Sequence, residues 1–187
     1  MRRALASLLP NLITLARLLA VPVAVWLMVS GLYEAAFWLF ISAGLSDALD
    51  GFLARRLGVR SELGAYFDPL ADKCLLVGAY VTLGLQGAIE SWVVILVVFR
   101  DLVIIGGALL YQTLTHSLTM QPLLISKLNT LLQILLVGLV LAGLGLGLDD
   151  GGASEYLTFA VAVSTVLSGA AYITIWGKRI LGYGGKA

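Results

Sequence analysis

Asp47-Ala48-Leu49-Asp50-Gly51-Phe52-Leu53-Ala54-Arg55, followed after eight residues by Gly64-Ala65-Tyr66-Phe67-Asp68-Pro69-Leu70-Ala71-Asp72, is the stretch on which the reading of this chain turns. Its four carboxylates stand in or beside strongly apolar segments, where ionisable side chains are costly and usually functional. Spacings of three and four residues put Asp47 with Asp50, and Asp68 with Asp72, on one face of a helix each. Four like charges converging in a bilayer would repel one another unless divalent cations neutralised them. An all-oxygen ligand set suits hard cations such as Mg²⁺ or Mn²⁺.

The rest of the chain supplies the bilayer. Of its 187 residues 60% are hydrophobic and 12% charged, and the mean hydropathy is +0.99. A water-soluble domain of this length has no use for so much apolar surface, so the composition predicts one integral membrane domain over residues 1–187. A net charge of +1 gives no basic signal for nucleic acid. The single cysteine, Cys74, lies in an apolar stretch and has no internal disulfide partner. Arg2-Arg3 ahead of an apolar run resembles a signal peptide, but Asn11 and Arg17 interrupt that run, which predicts a retained first helix.

Hydropathy predicts an all-α protein with six transmembrane helices near 11–30, 35–57, 63–85, 91–112, 123–147 and 155–177. A short amphipathic interfacial helix over residues 1–9 precedes them. Connections near 31–34, 86–91 and 148–155 hold Glu34, Glu90, Asp149, Asp150 and Glu155 and no Lys or Arg. Arg2, Arg3, Arg55, Arg56, Arg60, Lys178, Arg179 and Lys186 fall on the other side. The positive-inside rule then predicts an N-in/C-in topology with the aspartates facing the cytoplasm.

Helix two brings Asp47 and Asp50 to its cytoplasmic end, and helix three returns outward with Asp68 and Asp72. Two cations about 4 Å apart would fit between such antiparallel neighbours and clamp a pyrophosphate. Gly51 and Gly64 remove bulk where a ligand must approach backbone, and Arg55, one turn beyond Asp50, can grip a phosphate with two donors. The competing structural account is a charged helix end paired with Arg55, Arg56 and Lys73. It explains any one aspartate but not the whole set with its glycines and alanine at fixed offsets.

That set, D-x2-D-G-x2-A-R-x8-G-x3-D-x3-D, resembles the signature of the CDP-alcohol phosphatidyltransferase family at every fixed position. The resemblance spans nearly the whole chain and implies the family's six-helix fold, a homodimer, and displacement of CMP from a CDP-linked lipid by an alcohol, with two divalent cations as cofactors. It implies that Asp47, Asp50, Asp68 and Asp72 are the metal ligands and that Asp72 is also the general base. Gly51, Arg55 and Ser61 match positions that hold the CDP moiety of CDP-diacylglycerol. Asn11, Leu12, Ile13 and Thr14 match the segment at the start of helix one that binds the donor head group.

Helices four and five carry the clues to the acceptor. Arg100 either pairs with its neighbour Asp101 or faces a wet cavity, and Lys127 either snorkels to lipid phosphates or grips a ligand. In the functional reading both bind an anionic acceptor such as a phosphodiester lipid. Phe99-Arg100-Asp101-Leu102 and Leu124-Ile125-Ser126-Lys127-Leu128-Asn129-Thr130 are most similar to CMP-forming cardiolipin synthases, whose acceptor is phosphatidylglycerol. Pro10 to Arg17 and Asp68 to Lys73 are shared with phosphatidylglycerophosphate synthases, but those continue an Arg-Glu-Ile type sequence in helix four where Asp101-Leu102 stands here. The nearest alternative is therefore the same chemistry on glycerol 3-phosphate, and a distant one is an ion-coupled transporter, which has no reason to keep the full motif. One histidine, His116, is too few for the paired-histidine route to cardiolipin. The lack of an evident transit extension leads us to expect a bacterial inner membrane.

Overall fold

The computed structural model describes the backbone over residues 2–57, 62–115 and 123–183, and side chains over 15–46, 73–107, 113 and 123–175. Six helices follow in order: α1 (Arg2–Val29), α2 (Tyr33–Leu57), α3 (Glu62–Leu85), α4 (Ser91–Thr115), α5 (Leu124–Leu146) and α6 (Ala153–Tyr183). Two differ from expectation. Residues 2–9 form no separate interfacial helix but run into α1 without a break. Ala4, Leu5, Ala6, Leu8 and Leu9 are strong helix formers, and Pro10 forfeits one backbone donor without stopping them. At the other end α6 continues past the expected 177 to Tyr183, because hydropathy marks the end of an apolar run and not of a hydrogen-bonded backbone. Sharp stops occur at Gly31 and Gly87, both at positive φ (74° and 73°). In each case the next residue's N–H reaches five residues back, Leu32 to Leu27 and Ala88 to Leu83, which satisfies carbonyls the helix end would orphan.

By its contacts the chain divides into two units. The first comprises residues 1–88 and 137–151, where α2 and α3 both pack on α1. Gly78 of α3 faces Val21 and Val25 of α1 so closely that an added Cβ would stand 3.3 Å from Val25 Cγ2. Gln86, just past α3, donates through Nε2 to the Met28 carbonyl near the end of α1 at 2.7 Å. Contacts that advance together along both helices make α1 and α3 parallel. Ala24, Met28, Leu76, Ala79, Tyr80 and Leu83 are buried between them and their neighbours.

The last turn of α5 meets the start of α2 in the same unit. A Cβ on Gly145 would lie 2.6 Å from Glu34 N, 2.7 Å from Glu34 Cα and 2.7 Å from the Tyr33 carbonyl carbon, all backbone atoms that cannot step aside. Gly145→Ala is therefore expected to lower stability by roughly 1–3 kcal/mol. Gly138→Ala, in the same helix with open space at its Cβ, should instead be neutral or stabilising by up to about 1 kcal/mol. Thermal unfolding of both variants in detergent checks the contrast, and equal midpoints would refute the close approach.

The second unit comprises residues 89–136 and 152–187, where α4 packs on α6. The first half of α5 runs antiparallel to α6: Asn129 Oδ1 accepts from Ser164 Oγ (2.8 Å) and Thr165 Oγ1 (2.9 Å), and Leu123 N donates to Tyr172 OH at 3.4 Å. Here the usual burial order is reversed. Asn129, Gln133 and Ser168 are fully buried, while Ile95, Leu102 and Phe159 are each more than 60% exposed. Such a distribution is unfavourable in water and suits a hydrocarbon surround, in which polar side chains turn inward to bond across helices. Among the described residues, Leu124–Leu146 and Ala153–Ile175 are long and apolar enough to cross a membrane.

Candidate active site

The helices that the aspartate spacing requires are present. α2 is unbroken through Asp47, Asp50, Gly51 and Arg55, and α3 is unbroken through Asp68 and Asp72. Positions 68 and 72 fall on the same stripe of α3 as Leu75, Leu76, Ala79 and Leu83, which are all buried. The side chains of Asp47, Asp50, Gly51, Arg55, Asp68, Asp72 and Asn11 to Thr14 lie outside the described residues, as does Ser61 altogether. Backbone register nevertheless relates two of these groups. Gly78 lies level with the Val21–Val25 turn, and the helices are parallel, so Asn11 to Thr14 lie level with residues 66–69 of α3. The proposed head-group segment of α1 and the backbone of Asp68 thus occupy the same depth of the unit, with Asp72 about one turn further along α3.

Arg100 and Lys127 belong to the second unit and have different surroundings. Arg100 is 3% exposed. Its Nη1 donates to Asp101 Oδ1 at 2.7 Å, its Nη2 to Ser126 Oγ and Ser168 Oγ at 2.6 Å each, and its Nε to Ser168 Oγ at 3.2 Å. The guanidinium carbon stands 6.0 Å from the centre of the Tyr172 ring. Neighbours in a helix do not normally face each other. The long Arg100 side chain reaches the Asp101 carboxylate all the same, so the ion pair is the arrangement seen. Most of the fork's donors are spent inside the protein, where they tie α4 to the first turn of α5 and to α6. Lys127, beside the tethered Ser126, is exposed.

The polar partners on α6 escaped the sequence reading. Ser164, Ser168 and Tyr172 recur every four residues, with Thr165 beside them, and so form a polar stripe along an otherwise apolar helix. That spacing was the available signal. On α5, Asn129 and Gln133 occupy successive turns and are both fully buried, and Asn129 bonds to the stripe through Ser164 and Thr165.

Comparison with known proteins agrees with the motif. The family model for CDP-alcohol phosphatidyltransferase matches residues 7–176. The chain belongs to this family of transferases. It is 34% identical over 184 residues to a chloroplastic CDP-diacylglycerol–glycerol-3-phosphate 3-phosphatidyltransferase of rice (Oryza sativa subsp. japonica), covering 88% of this chain and 55% of the relative. It is 32% identical over 188 residues to human CMP-forming cardiolipin synthase, covering 92% and 62%. A probable phosphatidylglycerophosphate synthase of Mycobacterium tuberculosis is 31% identical over 177 residues, covering 91% and 82%. The chain thus spans little more than half the length of the rice relative. Relatives of both acceptor types are at similar distance.

Proposed function

We propose that the protein transfers the phosphatidyl group of CDP-diacylglycerol to phosphatidylglycerol, giving cardiolipin and CMP at the cytoplasmic side of a membrane. The observation that carries this reading is the complete aspartate motif, borne by two continuous helices. Asp47, Asp50, Asp68 and Asp72 would hold two divalent cations, Mg²⁺ or Mn²⁺, whose charge would offset that of the diphosphate and of the departing CMP. Asn11 to Thr14, Gly51, Arg55 and Ser61 bind the CDP-lipid head group. Asp72 accepts the acceptor's hydroxyl proton as that oxygen bonds to the phosphatidyl phosphorus. The bond from this phosphorus to the bridging oxygen breaks, and CMP leaves with that oxygen. The cytoplasmic placement is supported by the charge asymmetry of the connections. It is also supported by the first unit, whose Lys- and Arg-free end gathers the close of α1, α3 and α5 with the start of α2.

Phosphatidylglycerol is favoured by Asp101-Leu102 after Arg100 and by the Ser126-Lys127-Leu128-Asn129 run. Glycerol 3-phosphate is the second reading, supported by the names of the rice and Mycobacterium relatives. The test supplies purified protein with CDP-diacylglycerol, Mg²⁺ or Mn²⁺, and one acceptor or the other, and follows CMP and lipid products. No CMP with any alcohol sinks the enzyme reading; product from glycerol 3-phosphate alone sinks the cardiolipin reading. Exposed Lys127 is the cation free of the Arg100 network, and it is proposed to meet the acceptor's phosphate. Lys127→Ala is expected to raise the KM for phosphatidylglycerol by roughly tenfold, the loss of one charge-assisted hydrogen bond, with little change for CDP-diacylglycerol. An unaltered acceptor dependence would contradict the role.

A further inference from the structure

Helix α5 begins without a cap of its own. Leu123 stands at the N-cap position, where its carbonyl accepts from Ser126 N at 3.0 Å and from Lys127 N at 3.2 Å. Its side chain, however, has no oxygen to offer the free N–H groups of the first turn. Nor is the outward side of that turn covered: Leu124 is 82% exposed, Leu128 is 52% exposed, and Lys127 is exposed. Polar bonds to α6 hold the turn instead. Tyr172 OH accepts from Leu123 N at 3.4 Å. One turn earlier on α6, Ser168 Oγ accepts from Nε and Nη2 of Arg100, whose Nη2 also reaches Ser126 Oγ. Tyr172 is buried, and the centre of its ring lies 6.0 Å from the Arg100 guanidinium carbon. The phenol is thus engaged twice, its ring with Arg100 of α4 and its hydroxyl with the residue that starts α5.

We propose that Tyr172 is a positioning residue for the acceptor: its hydroxyl fixes Leu123, and the Leu123 carbonyl fixes the backbone of Ser126 and Lys127. This inference rests on the reading of Lys127 as the residue that meets the acceptor's phosphate. The chain of bonds is short, running from Tyr172 OH to Leu123 N–H and from Leu123 C=O to Lys127 N–H. A lysine ammonium rides on a flexible four-carbon stem, so its reach is set by where the backbone beneath it is held. Arg100 restrains the same turn through a side chain, Ser126, whereas Tyr172 restrains it through the backbone. The two restraints can be separated, because phenylalanine at 172 removes the hydroxyl and keeps the ring beside the guanidinium. One long neutral hydrogen bond adds little to the stability of the whole unit. Its loss is felt in the local order of the turn it holds.

The experiment compares the parent chain in detergent with Tyr172→Phe, Lys127→Ala and the double variant, using CDP-diacylglycerol and whichever of phosphatidylglycerol or glycerol 3-phosphate supports turnover. Tyr172→Phe is expected to raise the acceptor KM by about three- to tenfold, with kcat and CDP affinity changed less than about twofold. Hydrogen exchange should quicken in the peptide that carries Leu123 to Lys127 and stay as in the parent elsewhere in α5 and α6. In the Lys127→Ala background the tyrosine substitution should add nothing to KM, because both act through one contact. A purely structural tyrosine would instead lower the unfolding midpoint and impair kcat and KM together. A parent-like acceptor KM, parent-like exchange in the first turn, or a full additional effect without Lys127 each overturns the proposal alone. An acceptor KM indifferent to Lys127→Ala refutes the reading of Lys127 and the positioning role with it. A parent protein that releases no CMP with either acceptor refutes the transferase reading on which both stand.

Discussion

Asp72→Asn is expected to slow CMP release by a factor of about a hundred to ten thousand, the range that a positioned general base contributes. The substitution is nearly isosteric and keeps one carbonyl oxygen able to face a cation. It removes the charge and the lone pair that would take the acceptor's proton. Position 72 shares a helix face with Leu75, Leu76, Ala79 and Leu83, and the amide nearly matches the carboxylate in volume. Donor binding should survive, because Asp47, Asp50 and Asp68 remain, as do Asn11 to Thr14 on the neighbouring stretch of α1. The measurement is single-turnover CMP release from CDP-diacylglycerol, paired with CDP binding to the same preparation. Full turnover by the asparagine variant would exclude Asp72 as the base. Loss of turnover and of CDP binding together would make it a metal ligand alone.

The aspartate motif was legible because its information is local: spacing alone puts each pair on one helical face, and α2 and α3 do run unbroken through them. Helix number and order were legible for a related reason, since a run of about twenty apolar residues has few alternatives. Helix ends were less so. Residues 2–9 and 178–183 are helical although their hydropathy separates them from the apolar spans, because backbone hydrogen bonding continues past the point where polarity changes. Contacts between distant segments left no trace in composition. Nothing around Gly145 announces that the backbone of Glu34 occupies the space of its missing Cβ. Nor does the sequence around Asn11 to Thr14 state its depth relative to Asp68; that follows only once Gly78 is seen against Val21 and Val25. Adjacency to Asp101 did not announce that Arg100 also bonds to Ser126 and Ser168, far away in the chain.

Arg100→Met is expected to cost about 3–5 kcal/mol of stability, the range for breaking a buried ion pair by removing one member. Methionine fills much of the same volume, so the loss is electrostatic and not a matter of packing. The Asp101 carboxylate would keep its charge inside the second unit without the guanidinium at 2.7 Å, and Ser126 and Ser168 would both lose their donor. The serines can fall back on the carbonyls of their own helices, whereas a carboxylate has no proton to give a carbonyl. The paired variant Arg100→Met with Asp101→Leu should therefore be more stable than Arg100→Met alone, since replacing both members of a buried pair by apolar groups is often neutral. Unfolding in detergent of the two single variants and the double one closes the cycle, and strict additivity would show that the pair is not coupled. Activity separates structure from recognition. If the fork's task is to tether the first turn of α5, the double variant regains stability but keeps a raised KM for the acceptor, because Ser126 beside Lys127 is no longer held. If Arg100 itself bound the acceptor, Ser168→Ala, which frees Nε and part of Nη2, would lower that KM. A tether predicts the opposite sign: removing Ser168 loosens Arg100, and through it the turn of α5 that carries Lys127.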